Sequence, residues 1–293
     1  PTENDKTQES NWESLGVRSL TMSSGTWEVE QDKAHRWIVL SITNTYKTST
    51  SALTFTVNKQ FRIYPDGAIC ISTVTTPNVE GSVLPKLGFR LEMPSSAENI
   101  TWLGRGPFDN YHDRNYAAHW GIHRSTVTEQ WTNFVRPQET GNKEDVRWLA
   151  VTTDAGKGLL YVSPSGMSTT VGHWRAEDIY TNRSNRKGHP YEVTFLRSTV
   201  VSLDAWNRAL GNASCGPDVL DKYERKLKQT PFCFMILPIN EATSDTVLTQ
   251  RGNLNLPVCQ PVHFSDNGQG YAVLTSDNPA GTTIYYSIDG NDF

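Results

Sequence analysis

The sequence contains few of the residues that mark a metal-binding or disulfide-stabilised protein. Its four cysteines are far apart among 293 residues, and none has the C-x-x-C spacing of a zinc site or a redox pair. We interpret them as free thiols and leave a single disulfide open as an alternative, because a domain of this size does not need one for stability. His119 and His123 do not form a metal pair either, since residues four apart on a strand lie about 13 Å from each other. No metal site is predicted in this chain.

Long apolar runs and clusters of basic residues are also absent. The chain has no stretch long enough to span a bilayer and no signal peptide at its polar start, so we leave its compartment open. Lys and Arg total 27 against 31 Asp and Glu, which gives a net charge of −4. We therefore expect neither nucleic acid nor a membrane surface among its partners.

Helical periodicity is scarce, whereas short alternations of apolar and polar residues recur. Examples are residues 36–42, 53–57, 69–74 and 191–196. Alternation with β-branched residues is typical of half-buried strands, and Gly, Pro, Asp and Ser clusters separate these runs. The best helical candidate, residues 219–227, leads straight into an apolar run, so we interpret it as extended. The sequence therefore predicts an all-β, antiparallel fold.

One dense block, W-L-G-R-G-P-F-D-N-Y-H-D-R, occupies residues 102–114. Its composition suits a tight, hydrogen-bonded loop after a strand. Gly104 and Gly106 are expected to allow positive φ, and polar side chains can bond to the backbone. Asp113 and Arg114 are predicted to form a structural ion pair rather than a sugar ligand.

A second block, R-P-Q-E-T-G-N-K-E-D-V-R-W, occupies residues 136–148. Arg136 offers a bidentate guanidinium, Glu139 a carboxylate and Asn142 an amide, which are the side-chain types that bind vicinal sugar hydroxyls. We take these three residues as candidates for the wall of a sugar-binding cleft. A purely structural corner is the alternative.

The two blocks resemble the C-terminal small chain, or fifth domain, of the large β-galactosidases of glycoside hydrolase family 2. There, W-x-G-x-G-P-x-x-N-Y-x-D-R precedes R-P-x-E-x-G-x-x-x-x-x-R-W by a similar interval. Residues 210–217 are similar to a loop near the end of that domain, and the resemblance covers roughly residues 17–238. It implies a large antiparallel two-layer supersandwich of the galactose-mutarotase-like kind.

The loop at residues 210–217, L-G-N-A-S-C-G-P, departs from the family pattern G-x-G-G-D-x-S-W. In the family this loop places a tryptophan over the sugar subsites, and Cys215 stands at that position here. The resemblance implies that Asn212, Ser214 and Cys215 lie near the substrate. Loss of the aromatic platform would leave a roomier subsite, which puts a preference for lactose in doubt.

Four segments are predicted along the chain. Residues 1–16 are interpreted as a linker, residues 17–239 as the supersandwich and residues 240–262 as a linker or closing segment. Residues 263–293 resemble the truncated start of a small immunoglobulin-like β-sandwich module. Such modules are often appended to bacterial glycosidases, so we expect a periplasmic or secreted parent protein.

No catalytic residue is predicted. Glycoside hydrolysis needs two carboxylates, and the family places its catalytic glutamates in a (β/α)₈ barrel that this chain has too little helix to form. Glu241 follows an asparagine on an apparent strand, but we interpret it as a solvated linker charge.

The resemblance implies a non-catalytic domain that completes the cleft of a retaining β-galactosidase. Its partners would be the parent's barrel domain and a galactoside or other β-linked oligosaccharide. No cofactor is expected in this chain, although the parent could hold Mg²⁺ or Na⁺ near its barrel and assemble as a homo-oligomer. The alternatives are a free-standing aldose 1-epimerase, for which an Asn-His-x-x-Phe motif is missing, and a carbohydrate-binding module.

Overall fold

A computed structural model describes residues 2–34, 36–179, 188–252, 262–269 and 272–276. The chain divides into two compact units, Pro1–Gly252 and Asn253–Phe293. None of the helices in the described ranges is both long and apolar enough to cross a bilayer.

The larger unit is built on antiparallel strands, with three α-helices in its described part. The strands are β1 Thr21–Gln31, β2 Ile38–Lys47, β3 Thr54–Ile63, β4 Ile69–Pro77, β5 Lys86–Pro94, β6 Asn99–Gly106, β7 His119–Thr126, β8 Lys143–Thr152, β9 Gly158–Gly172, β10 Ser198–Asn207 and β11 Thr230–Ile239. The helices are α1 Lys6–Leu15, α2 Ala176–Ile179 and α3 Asp245–Gly252.

The main layer has the strand order β1-β2-β3-β4-β11-β9-β8-β6-β7, and every pairing is antiparallel. Strand β9 is long enough to pair with strands of the main layer and of a second layer. Its residues 158–162 pair with β11 and β8, while residues 168–172 pair with β10, which in turn pairs with β5. The prediction of an all-β antiparallel fold is confirmed.

Strands β5 and β10 form the second layer, which lies over the middle of the main sheet. Phe89 of β5 meets Phe234 of β11 edge-on, with ring centroids 5.2 Å apart. The hydroxyl of Tyr161 on β9 lies 3.2 Å from Sδ of Met93 on β5. Trp102, Tyr161 and Phe234 are among the side chains fully buried in the core between the layers. Burial of each large apolar side chain contributes about 1.5–3 kcal/mol, so this core holds the two layers together.

The opposite face of the main sheet carries a second core that helix α3 helps to cover. Leu248 of α3 is buried in the cluster that contains Trp148 and Leu160. A Cβ on Gly252 would lie 2.5 Å from Cδ1 of Trp148, so the helix end fits closely against the ring. Residues 245–252 are therefore part of the folded unit rather than a linker. The other end of the predicted segment, residues 253–261, lies outside the described residues.

The interpretation of residues 1–16 as a linker needs correction. Helix α1 packs on the unit through Trp12, which is 6% exposed and whose Nε1 donates to the Val83 carbonyl at 2.9 Å. Gly16 ends the helix with φ 71°. The polar composition concealed the helix because most of its other contacts are polar, such as the hydrogen bonds from the Thr7 hydroxyl to Asp218 at 2.7 Å and from the Ser51 hydroxyl to the Leu15 carbonyl at 2.8 Å.

Residues 191–196 do not form the predicted strand. A 3₁₀-helix covers Pro190–Glu192, and the Glu192 carboxylate accepts from the backbone N–H of His189 at 2.7 Å. Proline in the first turn favours a helical start, and Tyr191 is exposed. Residues 219–227 contain no helix, but they do not form the predicted extended strand either. Residues 221–223 form a turn in which the backbone N–H of Tyr223 donates to the Leu220 carbonyl at 2.8 Å.

In the smaller unit, β12 Val262–Asp266 pairs with β13 Ala272–Ser276 as an antiparallel hairpin. Residues 277–293 lie outside the described residues. An immunoglobulin-like module over residues 263–293 therefore stays a prediction.

Candidate functional site

The two glycines of the first block are required for space rather than for positive φ, which corrects the prediction. Both lie on β6, and neither has a positive φ. A Cβ on Gly104 would lie 2.8 Å from Cα of Val146 on β8, and one on Gly106 would lie 2.7 Å from Cδ2 of His123 on β7. Their absent side chains allow β6 to approach both neighbouring strands.

Asp113 and Arg114 both bind the third block. The Asp113 carboxylate accepts from the backbone N–H of Leu210 at 3.1 Å and of Gly211 at 2.8 Å. Arg114 donates to the Gly211 carbonyl at 2.6 Å and to Oδ1 of Asn212. Their role is structural, as predicted, but the partner is the loop at residues 210–217 rather than each other.

The second block leads into a buried hydrogen-bond network that we call the polar core, formed by Asn110, Asn142, Glu144, Ser168 and Asn207. The Glu144 carboxylate accepts from the Asn142 and Asn207 amides at 2.7 and 2.9 Å and from the Ser168 hydroxyl at 2.9 Å. The Asn110 carboxamide oxygen accepts from the backbone N–H of Glu144 at 3.0 Å. This network ties the loop after β6 to β8, β9 and β10.

Asn142 is therefore not available for sugar. It is 1% exposed, and its amide also donates to the Asn110 carbonyl at 2.8 Å. The prediction that it lines a cleft is wrong for this chain, because its hydrogen-bonding groups face the protein interior. The alternative of a structural corner is the one the geometry supports.

Glu139 also points into the protein. Its side chain is only 17% exposed, and its Oε1 lies 3.5 Å from Nζ of Lys86, which is 3.7 Å from Oδ2 of Asp204. Burial raises the pKa of the Asp204 carboxyl to about 6, an increase that Lys86 limits and that Glu139 and Glu144 reinforce. Burial alone would lower the pKa of Lys86, but Asp204 and Glu139 outweigh it and raise that pKa. The predicted sugar ligand is thus one member of an interior charge cluster.

The third block is the part of the predicted site that faces solvent. Asn212, Ser214 and Cys215 are all exposed. Their loop is closed on itself, since the backbone N–H of Asn212 donates to the Pro217 carbonyl at 2.9 Å and that of Cys215 to the Asn212 carbonyl at 3.0 Å. Gly211 has φ 62°, a backbone conformation that residues with a side chain rarely adopt. The loop therefore presents three side chains from a fixed backbone.

Arg136 reaches the same edge of the molecule through the start of the chain. Its guanidinium binds the Glu3 carboxylate, and the next residue, Asn4, donates to the Gly211 carbonyl at 3.0 Å. The Asn4 carboxamide oxygen also accepts from the backbone N–H of Ser214 at 2.9 Å. Residues 3 and 4 thus bridge the second and third blocks. We call Arg136, Asn212, Ser214 and Cys215 the exposed edge.

Arg208 is a buried residue that binds the segments next to the exposed edge. It is 4% exposed and binds three carboxylates, those of Asp5 at 3.2 Å, Asp218 at 2.8 Å and Glu224 at 3.0 Å. Burial alone would lower the pKa of the guanidinium, but its hydrogen bonds to Glu224 and Asp218 outweigh this and raise it. Asn4, Asp5 and Arg208 carry no local sequence signal, because their contacts join the polar start of the chain to residues more than 200 positions away.

One histidine–carboxylate pair is relevant to the epimerase alternative. Nε2 of His173 lies 2.9 Å from Oε2 of Glu98, and Nδ1 lies 3.0 Å from the Ser198 carbonyl. Glu98 also accepts from the backbone N–H of Thr128 at 2.8 Å. Because both ring nitrogens have protein partners, this histidine joins the connection between β5 and β6 to the start of β10. Among the described residues, no three His, Cys, Asp or Glu side chains come together as a metal-binding group.

A family profile described as "Beta galactosidase small chain" matches residues 1–236. The chain belongs to this family. The match confirms the assignment made from the two dense blocks, and it includes the segment containing helix α1.

Relatives of this chain include β-galactosidases that are several times longer than it. The β-galactosidase of Priestia megaterium is 40% identical over 100 residues, which cover 34% of this chain and 10% of the relative. That of Staphylococcus xylosus is 22% identical over 234 residues, which cover 80% of this chain and 23% of the relative. The chain thus spans less than a quarter of both relatives. The solved structure of a galactose mutarotase related enzyme from Lactobacillus acidophilus aligns over 77% of this chain and 74% of that enzyme's chain. The identity is 8% and the TM-score is 0.27, so the similarity is distant.

Proposed function

We propose that this chain is a non-catalytic domain of a β-galactosidase that completes the sugar-binding cleft formed by a catalytic domain elsewhere in the parent protein. The observation that carries the proposal is the loop at residues 210–217. Its backbone is fixed by Asp113, Arg114 and Asn4, yet its side chains face solvent. A rigid loop with exposed polar side chains suits contact with a sugar or with the rim of a neighbouring domain.

The catalytic carboxylates are proposed to lie outside this chain. A retaining glycosidase needs two carboxyl groups about 5–5.5 Å apart on either side of the scissile bond. Glu139, Glu144 and Asp204 are instead held inward by Lys86 or by amide donors. The chain alone is therefore expected to be inactive, with a galactoside or another β-linked oligosaccharide as the substrate of the assembled enzyme.

Neither alternative function gains support from a specific observation. An epimerase would need a histidine free to protonate the ring oxygen, whereas His173 has both nitrogens engaged. A binding module would favour aromatic rings grouped on one surface. Trp27 and Trp120 are exposed, but they lie on β1 and β7, at opposite ends of the main layer. The rings of Trp131, Trp174 and Phe195 do meet, but they pack edge-on against one another and Trp174 is buried.

A complementation assay tests the proposal. The remaining part of the parent is expressed separately and assayed for hydrolysis of a chromogenic β-galactoside, with and without this chain added. We expect activity only after mixing. Full activity without the chain, or activity of the chain alone, would overturn the accessory role. Acceleration of anomer exchange by the chain alone would support the epimerase.

A further inference from the structure

Two cysteines lie in diagonal positions on neighbouring strands of the main layer, outside the exposed edge. On β4, Cys70 is opposite Met235, and on β11, Cys233 is opposite Ser72. Because successive side chains on a strand alternate between the two faces, the two thiols lie on the same face in diagonal positions. Diagonal neighbours on antiparallel strands are within reach of each other's side chains.

This face is open to solvent at the two thiols. Cys233 is exposed, and Cys70 is half-buried. The residues on either side of Cys233, Phe232 and Phe234, point the other way into the core between the layers. A reagent can therefore approach Cys233 without disturbing the core.

The surroundings of the two thiols give them unequal chemistry. The neighbouring Cys70 thiol lowers the pKa of the Cys233 thiol to about 6 against the opposing effect of burial, and Ser72, whose Oγ lies 3.5 Å from the Cys233 sulfur, adds to the lowering. The interaction with Cys233, together with burial, raises the pKa of Cys70. Since the thiolate is the reactive form and Cys233 is also the more exposed of the two thiols, Cys233 is the attacking group and Cys70 the resolving one.

We propose that Cys70 and Cys233 form a redox-active dithiol, a modification site that low-molecular-weight disulfides such as oxidised glutathione convert into a disulfide between β4 and β11. An exposed nucleophilic thiol next to a resolving thiol on a facing strand is the arrangement that such a reaction requires.

The reaction proceeds in two exchange steps. The Cys233 thiolate attacks one sulfur of oxidised glutathione, the glutathione S–S bond breaks, and one glutathione leaves as a thiolate. Cys70 then releases its proton to solvent, attacks the Cys233 sulfur and displaces the second glutathione thiolate. The protein loses two electrons and two protons, and glutathione disulfide is reduced to two thiols.

A disulfide between Cys70 and Cys233 would link the two parts of the main layer covalently. Strands β1–β4 join the rest of that layer through the β4–β11 pairing. Disulfide formation requires Cα atoms about 4.4–6.8 Å apart, whereas diagonal neighbours lie about 7–8 Å apart. The bond would therefore require a local shift of β4 and β11 along each other, and it would cross-link residues 163 positions apart, since 233 − 70 = 163.

The test uses a variant that retains only the two thiols, Cys215→Ser with Cys259→Ser; Cys259 lies outside the described residues. Reduced protein is incubated with oxidised glutathione, and intact mass is measured without reductant. We expect a monomer that has lost two hydrogen atoms and has no thiol left to titrate. A further Cys70→Ser change should stop the reaction at the glutathione adduct on Cys233. A further Cys233→Ser change should slow the reaction about tenfold or more.

A matched control retains Cys215 alone, which is exposed, and should stop at its adduct. Equal thermal unfolding of the reduced variants checks that all are folded. Phenylarsine oxide, which bridges two thiols, should bind the two-thiol variant and neither single-thiol variant. A stable glutathione adduct with both cysteines present, disulfides formed only between molecules, or equal arsenical binding to the single-thiol variants would each overturn the proposal.

Discussion

The polar core and the exposed edge come from the same kind of sequence, dense in Asn, Glu, Arg and Ser, but they have opposite environments. Glu144 is 8% exposed and accepts three hydrogen bonds, whereas Asn212 and Ser214 are exposed on a loop that other residues hold. A dense polar block can therefore be a structural network rather than a binding site. The residues that could touch a ligand are those whose backbone is fixed while the side chain stays outside.

The largest effect is expected in the polar core. Glu144→Ala removes the acceptor for the Asn142 and Asn207 amides and the Ser168 hydroxyl. We expect the free energy of unfolding to fall by about 3–5 kcal/mol, because buried donors are left without partners. Urea denaturation followed by tryptophan fluorescence measures this. Glu144→Gln, which keeps one acceptor oxygen, should lose less, and a loss below about 1 kcal/mol for the alanine variant would contradict the network's role.

The interior charge cluster should give a pH-dependent effect. Burial raises the pKa of Asp204 to about 6 from its ordinary 3.8, so protonation favours the folded state. This contribution is complete below pH 3.8 and is lost as pH rises through about 6. As the pH rises from about 3.5 to about 7, the free energy of unfolding of Asp204→Asn should therefore increase by about 2–3 kcal/mol relative to that of the unmodified protein.

The control for this prediction is Asp221→Asn, which removes an exposed carboxylate. Chemical denaturation at a series of pH values gives the stability difference for each variant. A difference for Asp204→Asn that stays constant with pH would show that burial does not raise the Asp204 pKa.

A smaller effect is expected at Asp113, which holds the loop that carries the exposed edge. Asp113→Ala removes the acceptor for the backbone N–H groups of Leu210 and Gly211. We expect a loss of about 1–2 kcal/mol, together with faster hydrogen exchange at those two amides than at amides in β9. Unchanged exchange at Leu210 and Gly211 would mean that the loop does not depend on Asp113.

The smallest effect on stability is expected at Arg136. Its ion pair with Glu3 is solvent-exposed, with 55% and 35% of the side chains accessible. Arg136→Ala should change the free energy of unfolding by about 0–1 kcal/mol, and added salt should reduce even that. Glu3→Gln is the matched variant, and a loss comparable to that of Glu144→Ala would remove the distinction between edge and core.

Much of the fold could be predicted because local patterns specify it. The alternation in β4 and the apolar run in β11 identify strands without long-range information. The same alternation at residues 191–196 predicted a strand wrongly, since Pro190 favours a helical turn there. Helix α1 was missed because one aromatic ring, Trp12, anchors an otherwise polar segment.

The candidate site was predicted only in part, because residue type does not determine which way a side chain points. Glu139 and Asn142 have the right chemistry for sugar, but Lys86 and Glu144 bind them in the interior. The contact between Asn4 and Gly211 joins residues 207 positions apart, and no local pattern signals it.

An aromatic ring added to the exposed edge would show whether this edge borders the substrate. Cys215→Trp is made in the full-length parent, with Val29→Trp on β1 as a control that adds the same ring elsewhere on the surface. If the edge borders the sugar-binding cleft, stacking worth about 1 kcal/mol should lower the KM for a β-galactoside about fivefold, with the unfolding temperature unchanged and the control unaffected. Equal kinetics for both variants and the parent would contradict placement of this edge at the substrate.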